Sequence, residues 1–361
     1  MTTLPTIDVN LLAYNAEATI GAAIESVLAQ DWPSLSLTIL DNGSTDATLA
    51  VAEGYAREVP WLRIHRGRAN AGQVVNVTRA FAFGEADYVM PQTADDLLAP
   101  GFVRQVMAVL LAYPDCAMCH AGGLVFDDRH RVVHAYPDAH RLHAVGDDPL
   151  ARCGQVMARY TSAPSFWGIY RRAAIARLSP FHHRAGWDHA VLAELALYGE
   201  IRHVPDRLFW RRDGGKPVDV IARGATLAAQ RGHDVDGVLC DPHWRTPLIT
   251  TAHTHLLTLA AADLPEPERL RLLGAVPGLF RARWLAPMRA EWAALRRDLP
   301  ALLDALARLR SPLFELRATA LGGLLQAVAA ILPDMGAGEA AREVAAVTPA
   351  DPIRAASPAA A

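Results

Sequence analysis

Lysine is nearly absent from this 361-residue chain: Lys216 is the only one among 35 basic side chains. The formal net charge is −3. No global field therefore draws the chain to nucleic acid, and no nucleic-acid partner is expected. The arginine excess is read as composition rather than as a set of phosphate forks. Cysteine is scarce. Cys116, Cys119, Cys153 and Cys240 are too few for a disulfide framework in a chain of this length, which points to a reducing cytoplasm. Long apolar runs are missing too. The nearest candidate, 321–332, contains Gln326 and falls short of the roughly 18 residues a membrane span needs. Residues 1–6 carry no basic side chain, and the first apolar run, 7–14, is broken by Asp8 and Asn10, so no secretory signal is expected. A glycine-rich G-x-G-x-x-G turn is also lacking. Tyr14-Asn15-Ala16-Glu17 stands where a dinucleotide-dependent oxidoreductase would need it.

What is present is a 52 % apolar, 20 % charged composition that excludes wholesale disorder and supplies an ordinary core. The first half alternates strand and helix signals. Strands are expected at 6–13, 36–40, 61–65, from 88, and at 117–125; helices at 18–30, up to 57, 73–83 and 100–113. Ser44 or Thr45 is the expected cap of the second helix. This repetition implies an α/β fold with a mostly parallel sheet covered by helices on both faces, whose ligands sit at the carboxyl ends of the strands. A His- and Asp-rich stretch, 127–161, reads as irregular. From about Val218 the pattern turns helical, with helices expected at 250–261, 266–273, 288–299 and 302–309, separated by proline. Residues 335–361 read as a loose tail. The expected division is 1–217, 218–334 and 335–361.

Three polar clusters follow expected strands: Ala13-Tyr14-Asn15, Asp41-Asn42-Gly43-Ser44-Thr45-Asp46, and Thr93-Ala94-Asp95-Asp96. Each alone is compatible with an ordinary turn. The third places adjacent carboxylates at the mouth of a sheet, where oxygen ligands suit a hard divalent cation.

Taken together, these clusters resemble the family 2 glycosyltransferases of the GT-A fold. The resemblance runs through Tyr14-Asn15, residues 24–30, Ile39 to Asp46, Asn70-Ala71-Gly72 with Asn76, residues 84–89, Ala94-Asp95-Asp96 with Pro100, Gly186-Trp187-Asp188, Val204-Pro205 and Trp210-Arg211-Arg212. It covers about 7–212. It implies that Ala13, Tyr14, Asn15, Asp41, Asn70, Gly72, Asn76, Ala94, Asp95 and Asp96 line a nucleotide-diphosphate sugar. It implies that Asp41 faces the base and that Asp95 binds Mn²⁺ or Mg²⁺ on the diphosphate. Asp188 would be the general base on the acceptor hydroxyl, and a single base with direct displacement inverts the anomeric centre. The acceptor would be a carbohydrate or a lipid-linked sugar, in surface polysaccharide or glycolipid synthesis at the inner face of a membrane. Two positions depart from the family pattern: Asn42 stands for the second acid of Asp-Asp-Gly-Ser, and Thr93 for the first acid of the DXD motif. They support the alternative of a catalytically degenerate sugar-nucleotide-binding or assembly subunit.

Other motifs are set aside. Cys116-Ala117-Met118-Cys119-His120 has the spacing of a haem attachment site but reads as a buried strand. His182-His183 and His253-Thr254-His255 read as solvated histidines. Trp167, Trp187 and Trp210 are suited to stacking on sugars or to core packing. Arg211 or Arg212 could clamp a diphosphate or acceptor, but a solvated strand end is the preferred reading for either. The Arg-lined segment 284–310 allows peripheral membrane contact, with a helical bundle as the plainer reading.

Overall fold

The computed structural model describes residues 4–138, 141–159, 163–213, 245–307 and 313–335. These fall into two compact units: one drawn from 1–183, 188–216 and 261–268, the other from 184–187, 217–260 and 269–361. The expected tail, 335–361, lies outside the described residues except for Met335. Among the described residues no helix is long and apolar enough to cross a membrane.

The first unit is built on a nine-stranded sheet. Its strands are β1 (Ile7–Ala13), β2 (Leu35–Asp41), β3 (Leu62–Arg66), β4 (Tyr88–Thr93), β5 (Leu97–Leu98), β6 (Cys116–Phe126), β7 (Val132–Ala135), β8 (Gly168–Arg171) and β9 (Glu200–Arg212). The spatial order is β3-β2-β1-β4-β8-β6-β9-β5, with β7 added to β6. The parallel ladders β2–β3, β1–β2, β1–β4 and β6–β9 carry the long registers; the antiparallel pairs are short. Helices α1 (Ile20–Leu28), α2 (Thr48–Glu58), α3 (Gln73–Ala82), α4 (Phe102–Ala112), α5 (Pro149–Arg159), the short α6 (Arg172–Ile175) and α7 (Trp187–Tyr198) connect the strands.

Local sequence explains these elements. In β1, Ile7, Val9, Leu11 and Ala13 are all fully buried on one face. The alternate residue Asn10 turns the other way and donates its amide to the carbonyls of Ala80 and Phe83 in and after α3 (2.7 and 3.1 Å). Ile20, Ala23, Ile24 and Val27 make the buried stripe of α1 at helical spacing. Pro91 sits inside β4, where a missing N–H would normally break a ladder. It is tolerated because β8 pairs only with Tyr88 and Val89.

Three expectations change. The stretch 127–161, largely irregular among its described residues, also contains β7 and α5. Its polar composition hides α5 because one of the helix's four buried residues, beside Cys153, Val156 and Met157, is Arg152, whose guanidinium donates to the carbonyls of Ala196, Gly146 and Leu197 instead of reaching water. The cap of α2 is neither Ser44 nor Thr45. Asp46 Oδ1 accepts the Thr48 N–H (3.0 Å), while Ser44 and Thr45 bond Asn15. The strand β8 was not anticipated, because four residues carry too little period to read.

The second unit is helical: α8 (Pro247–Ala261), most of α9 (Glu266–Ala307) and α10 (Leu313–Ile331). Helix α9 corrects the expected proline-separated pieces. Pro277, Pro287 and Pro300 all lie within it, and the backbone leaves helical geometry only at Trp284 (φ −132°). That break lies one residue past Arg283, whose carbonyl the Pro287 ring would strike in a straight helix. Met288, Trp292, Leu295 and Leu299 are buried and give this stretch an inward apolar face. Both His253 and His255 are buried, against the expectation of solvated rings; His255 packs on Phe280 (centroids 5.2 Å). Glu291 Oε atoms accept the N–H groups of Leu248 and Ile249 at the start of α8 (3.0–3.1 Å).

Candidate active site

Strand register brings the three clusters to one edge. Ala13 pairs with Asp41, and Leu12 pairs with both Leu40 and Thr93, so β2, β1 and β4 leave the sheet at the same level. Two further bonds join the exits: Asn42 N–H donates to Ala13 O (2.8 Å) and Ala94 N–H to Leu12 O (3.0 Å). Ala13, Asp41 and Ala94 are thus neighbours although they are 81 residues apart in sequence at the extremes.

Asp41 is fully buried, and its carboxylate accepts the main-chain N–H groups of Gly43 (3.0 Å) and Ser44 (3.2 Å). A buried anion requires such donors. They come from a turn in which Gly43 has φ +78° and a Cβ there would lie 2.6 Å from the Ala69 backbone. The loop therefore demands glycine at 43. Asn42, 3 % exposed, donates Nδ2 to Asn70 Oδ1 (2.9 Å) and accepts the Ala71 N–H at Oδ1 (3.2 Å); Asn70 Oδ1 also accepts the Gly72 N–H (2.9 Å). The two main-chain donors fix both amide orientations. The departure from acid to amide at position 42 is thus a structural requirement: only an amide can donate to Asn70 while accepting from Ala71.

Asn15 is exposed with φ +47°. Its N–H reaches Ser44 Oγ (3.0 Å) and its Oδ1 accepts the Thr45 N–H (2.8 Å), tying the first cluster to the second. Tyr14 is half-buried beside it. Gly72 and Asn76 are buried; Asn76 Nδ2 donates to Leu40 O (3.4 Å), holding α3 under β2.

The third cluster divides in two. Asp95 is partly exposed at the β4–β5 turn. Asp96 is 4 % exposed and points into the protein: Thr93 Oγ1 donates to Oδ2 (2.7 Å) and the Arg212 N–H to Oδ1 (2.9 Å). Burial, with the charge of Asp95 next, pushes its carboxyl upward. Both Asp96 oxygens are engaged by protein donors, and of the two acids Asp95 is the more exposed. Among the described residues no group of three or more potential metal-ligating side chains occurs. One carboxylate fits a hard cation whose other ligands are diphosphate oxygens and water.

Asp188 lies in the first turn of α7 and is partly exposed. It is close to the phenol of Tyr170 on β8, the strand beside β4. Burial first and then the Asp188 charge raise that phenol well above its usual range.

The sequence singles out Arg212 but not its partners. It is not a solvated strand end: its side chain is 10 % exposed and reaches Asp95 O, Asp128 and the Phe126 ring. No local signal gives this, because the partners are 84 to 117 residues away. Arg211 instead donates to Tyr136 OH (3.0 Å). Trp167 is buried, and Trp210 Nε1 donates to Arg207 O (3.0 Å). Cys116, Cys119 and His120 lie on buried β6, the cysteines as free thiols and the His120 Nε2 beside Leu142 O (2.8 Å).

Residues 8–161 match the model of glycosyl transferase family 2. That match spans less than half of the chain, which is similar to that family over those residues. Five curated relatives share the likeness, among them the following two. Glycosyltransferase YibD of Escherichia coli, uncharacterized, is 29 % identical over 180 residues, 47 % of this chain and 51 % of that protein. An uncharacterized glycosyltransferase of Haemophilus influenzae is 26 % identical over 110 residues, 30 % and 34 % of the two chains. The chain spans about half the length of the curated relatives it matches. The crystal structure of S. aureus TarS 1–349 superposes with a TM-score of 0.58 at 16 % identity, covering 94 % of this chain and 87 % of that one; the form in complex with UDP-GlcNAc gives 0.58 at 15 %. These place the glycosyltransferase domain in the GT-A fold. Asp188 lies beyond the matched residues 8–161.

Proposed function

We propose that this glycosyltransferase moves a sugar from a nucleotide-diphosphate donor to an acceptor hydroxyl with inversion, assisted by one divalent cation. The observation that supports it is the register-driven convergence of the Ala13–Asn15, Asp41–Asp46 and Thr93–Asp96 loops at one sheet edge, on a domain similar to this family. In this reading Asp41, buried behind its own turn, holds the 41–46 loop that meets the base, and Tyr14 and Asn15 flank the nucleotide. Asp95 holds Mn²⁺ or Mg²⁺, which would neutralise the leaving diphosphate without a proton. Asp188 takes the proton from the attacking hydroxyl. One base opposite the leaving group gives inversion, because no covalent sugar intermediate intervenes. The acceptor is a carbohydrate or lipid-linked sugar of a surface polysaccharide or glycolipid, and the chain works in the cytoplasm.

A second reading, a donor-binding subunit without turnover, is favoured by two features: Thr93 supplies no carboxylate, and Asp96 is turned inward. Nucleotide release from a panel of UDP-, GDP-, dTDP- and CMP-sugars with Mn²⁺ separates the two. Release with a product of inverted configuration supports transfer. Saturable donor binding with no release for any acceptor refutes it.

A further inference from the structure

Arg212 closes β9 with four interactions, two of them to the 94–96 turn and two to the end of β6. Its N–H donates to Asp96 Oδ1 (2.9 Å) and its Nε to the carbonyl of Asp95 (3.2 Å). Its Nη1 pairs with Asp128 (3.1 Å), and its guanidinium lies 4.8 Å from the centre of the Phe126 ring. Asp128 is 84 % exposed, so that ion pair contributes little by itself. The other contacts are withdrawn from water, and a buried cation holds its place only with such partners. From the other side, Thr93 Oγ1 holds Asp96 Oδ2 (2.7 Å). Strand pairing adds a third restraint: Leu97 and Leu98, directly after the acids, pair with Trp210 and Phe209. The turn 94–96 is therefore clasped between the end of β4 and the end of β9.

We infer that Arg212 is a positioning residue that fixes the direction in which the Asp95 carboxylate leaves the β4–β5 turn. This rests on the reading of Asp95 as the cation ligand. Arginine suits the task because a planar fork can serve the Asp95 carbonyl from Nε and Asp128 from Nη1 while its face stacks on Phe126; a lysine offers one point charge. Adjacent arginines divide by strand alternation, Arg211 going to Tyr136 and Arg212 to the turn. Threonine at 93 belongs to the same device. A third acid there would put like charge beside Asp95 and Asp96 and remove the hydroxyl donor from a buried carboxylate.

The test uses full-length protein with Arg212→Met, Arg212→Lys and Asp128→Ala. The first readout is amide hydrogen exchange of the 94–98 segment without metal or nucleotide. Exchange about tenfold faster in Arg212→Met, intermediate in Arg212→Lys and near wild type in Asp128→Ala is expected. The second is Mn²⁺ dependence of nucleotide release. The half-activating Mn²⁺ concentration rises about 10- to 100-fold in Arg212→Met, as loss of a group that orients a metal ligand does, while kcat at saturating Mn²⁺ is largely regained. A merely structural role would lower kcat and thermal stability without moving the Mn²⁺ midpoint. Unchanged exchange at 94–98, or a kcat loss at an unmoved Mn²⁺ midpoint, overturns the inference. If wild-type protein releases nucleotide from no donor, the transfer reading fails, and the exchange measurement still decides whether Arg212 clasps the turn.

Discussion

Restoring the family acid at position 42 should damage this protein. In Asn42→Asp the side chain keeps its shape but loses its only donor. It then faces Asn70 Oδ1, formerly 2.9 Å from Nδ2, and the Gly72 carbonyl, formerly 3.4 Å away. Flipping the Asn70 amide would satisfy the new carboxylate but strip the Gly72 N–H of its acceptor. One buried group is left unsatisfied either way, which costs about 1–3 kcal/mol, and the new charge sits at a site only 3 % exposed. A total near 3 kcal/mol lowers Tm by roughly 6–12 °C for a unit of this size. The loss also depends on pH. A buried carboxyl titrates above its unfolded value, so the folded state holds more protons through the intermediate range. Stability is then greatest below the unfolded carboxyl value and falls as pH rises through the folded one. Urea unfolding of wild type and Asn42→Asp at pH 5 and pH 8 measures both effects. Equal stability at pH 8, or a deficit that does not grow from pH 5 to pH 8, would refute the hydrogen-bond assignment and reopen position 42 as a simple loss of charge.

Asp188→Asn should lower kcat about 10²- to 10⁴-fold while nucleoside diphosphate binding, measured by calorimetry, stays near wild type; full turnover would remove Asp188 as the base. Gly43→Ala combines a φ of +78° with a 2.6 Å approach to Ala69, so a loss of about 2–4 kcal/mol in chemical unfolding is expected. In the helical unit, burial lowers His255 to about 3 from 6.5. The unfolded state therefore gains protons first: stability is complete above pH 6.5 and declines below it, by about 2 kcal/mol at pH 5. Glu291 runs the other way. Burial raises it to about 7, so its neutral form is favoured in the folded state and stability declines as pH rises from 4.5 to 7. His255→Leu should flatten the acid side of the profile and Glu291→Gln the neutral side; no change in either slope contradicts the assignments.

Much of the fold was legible because parallel strands buried on both faces write themselves as apolar runs. Residues 6–13 and 36–40 were read within two residues of β1 and β2. The donor-side clusters were legible because they follow strands directly. What could not be read were residues whose polarity is answered at long range. Arg152 and Arg212 look solvated in sequence and are nearly buried in the fold. His253 and His255 look polar and are packed. Prolines 277, 287 and 300 look like stops, yet only the turn before Pro287 leaves the helix. Asn42 seemed a lost acid and proved to be a needed amide, visible only once Asn70 and Ala71 stood beside it.

The shared exit level of β2, β1 and β4 also limits how such a site can drift. A strand that slips by one residue sends every side chain to the opposite face of the sheet; the smallest slip that keeps each side chain on its own face is two residues, about 6.6 Å. The loops at this edge therefore cannot approach or separate by small adjustments of the sheet. Divergence toward a new donor has to be written in side chains and loop lengths, on a frame that changes in steps or not at all.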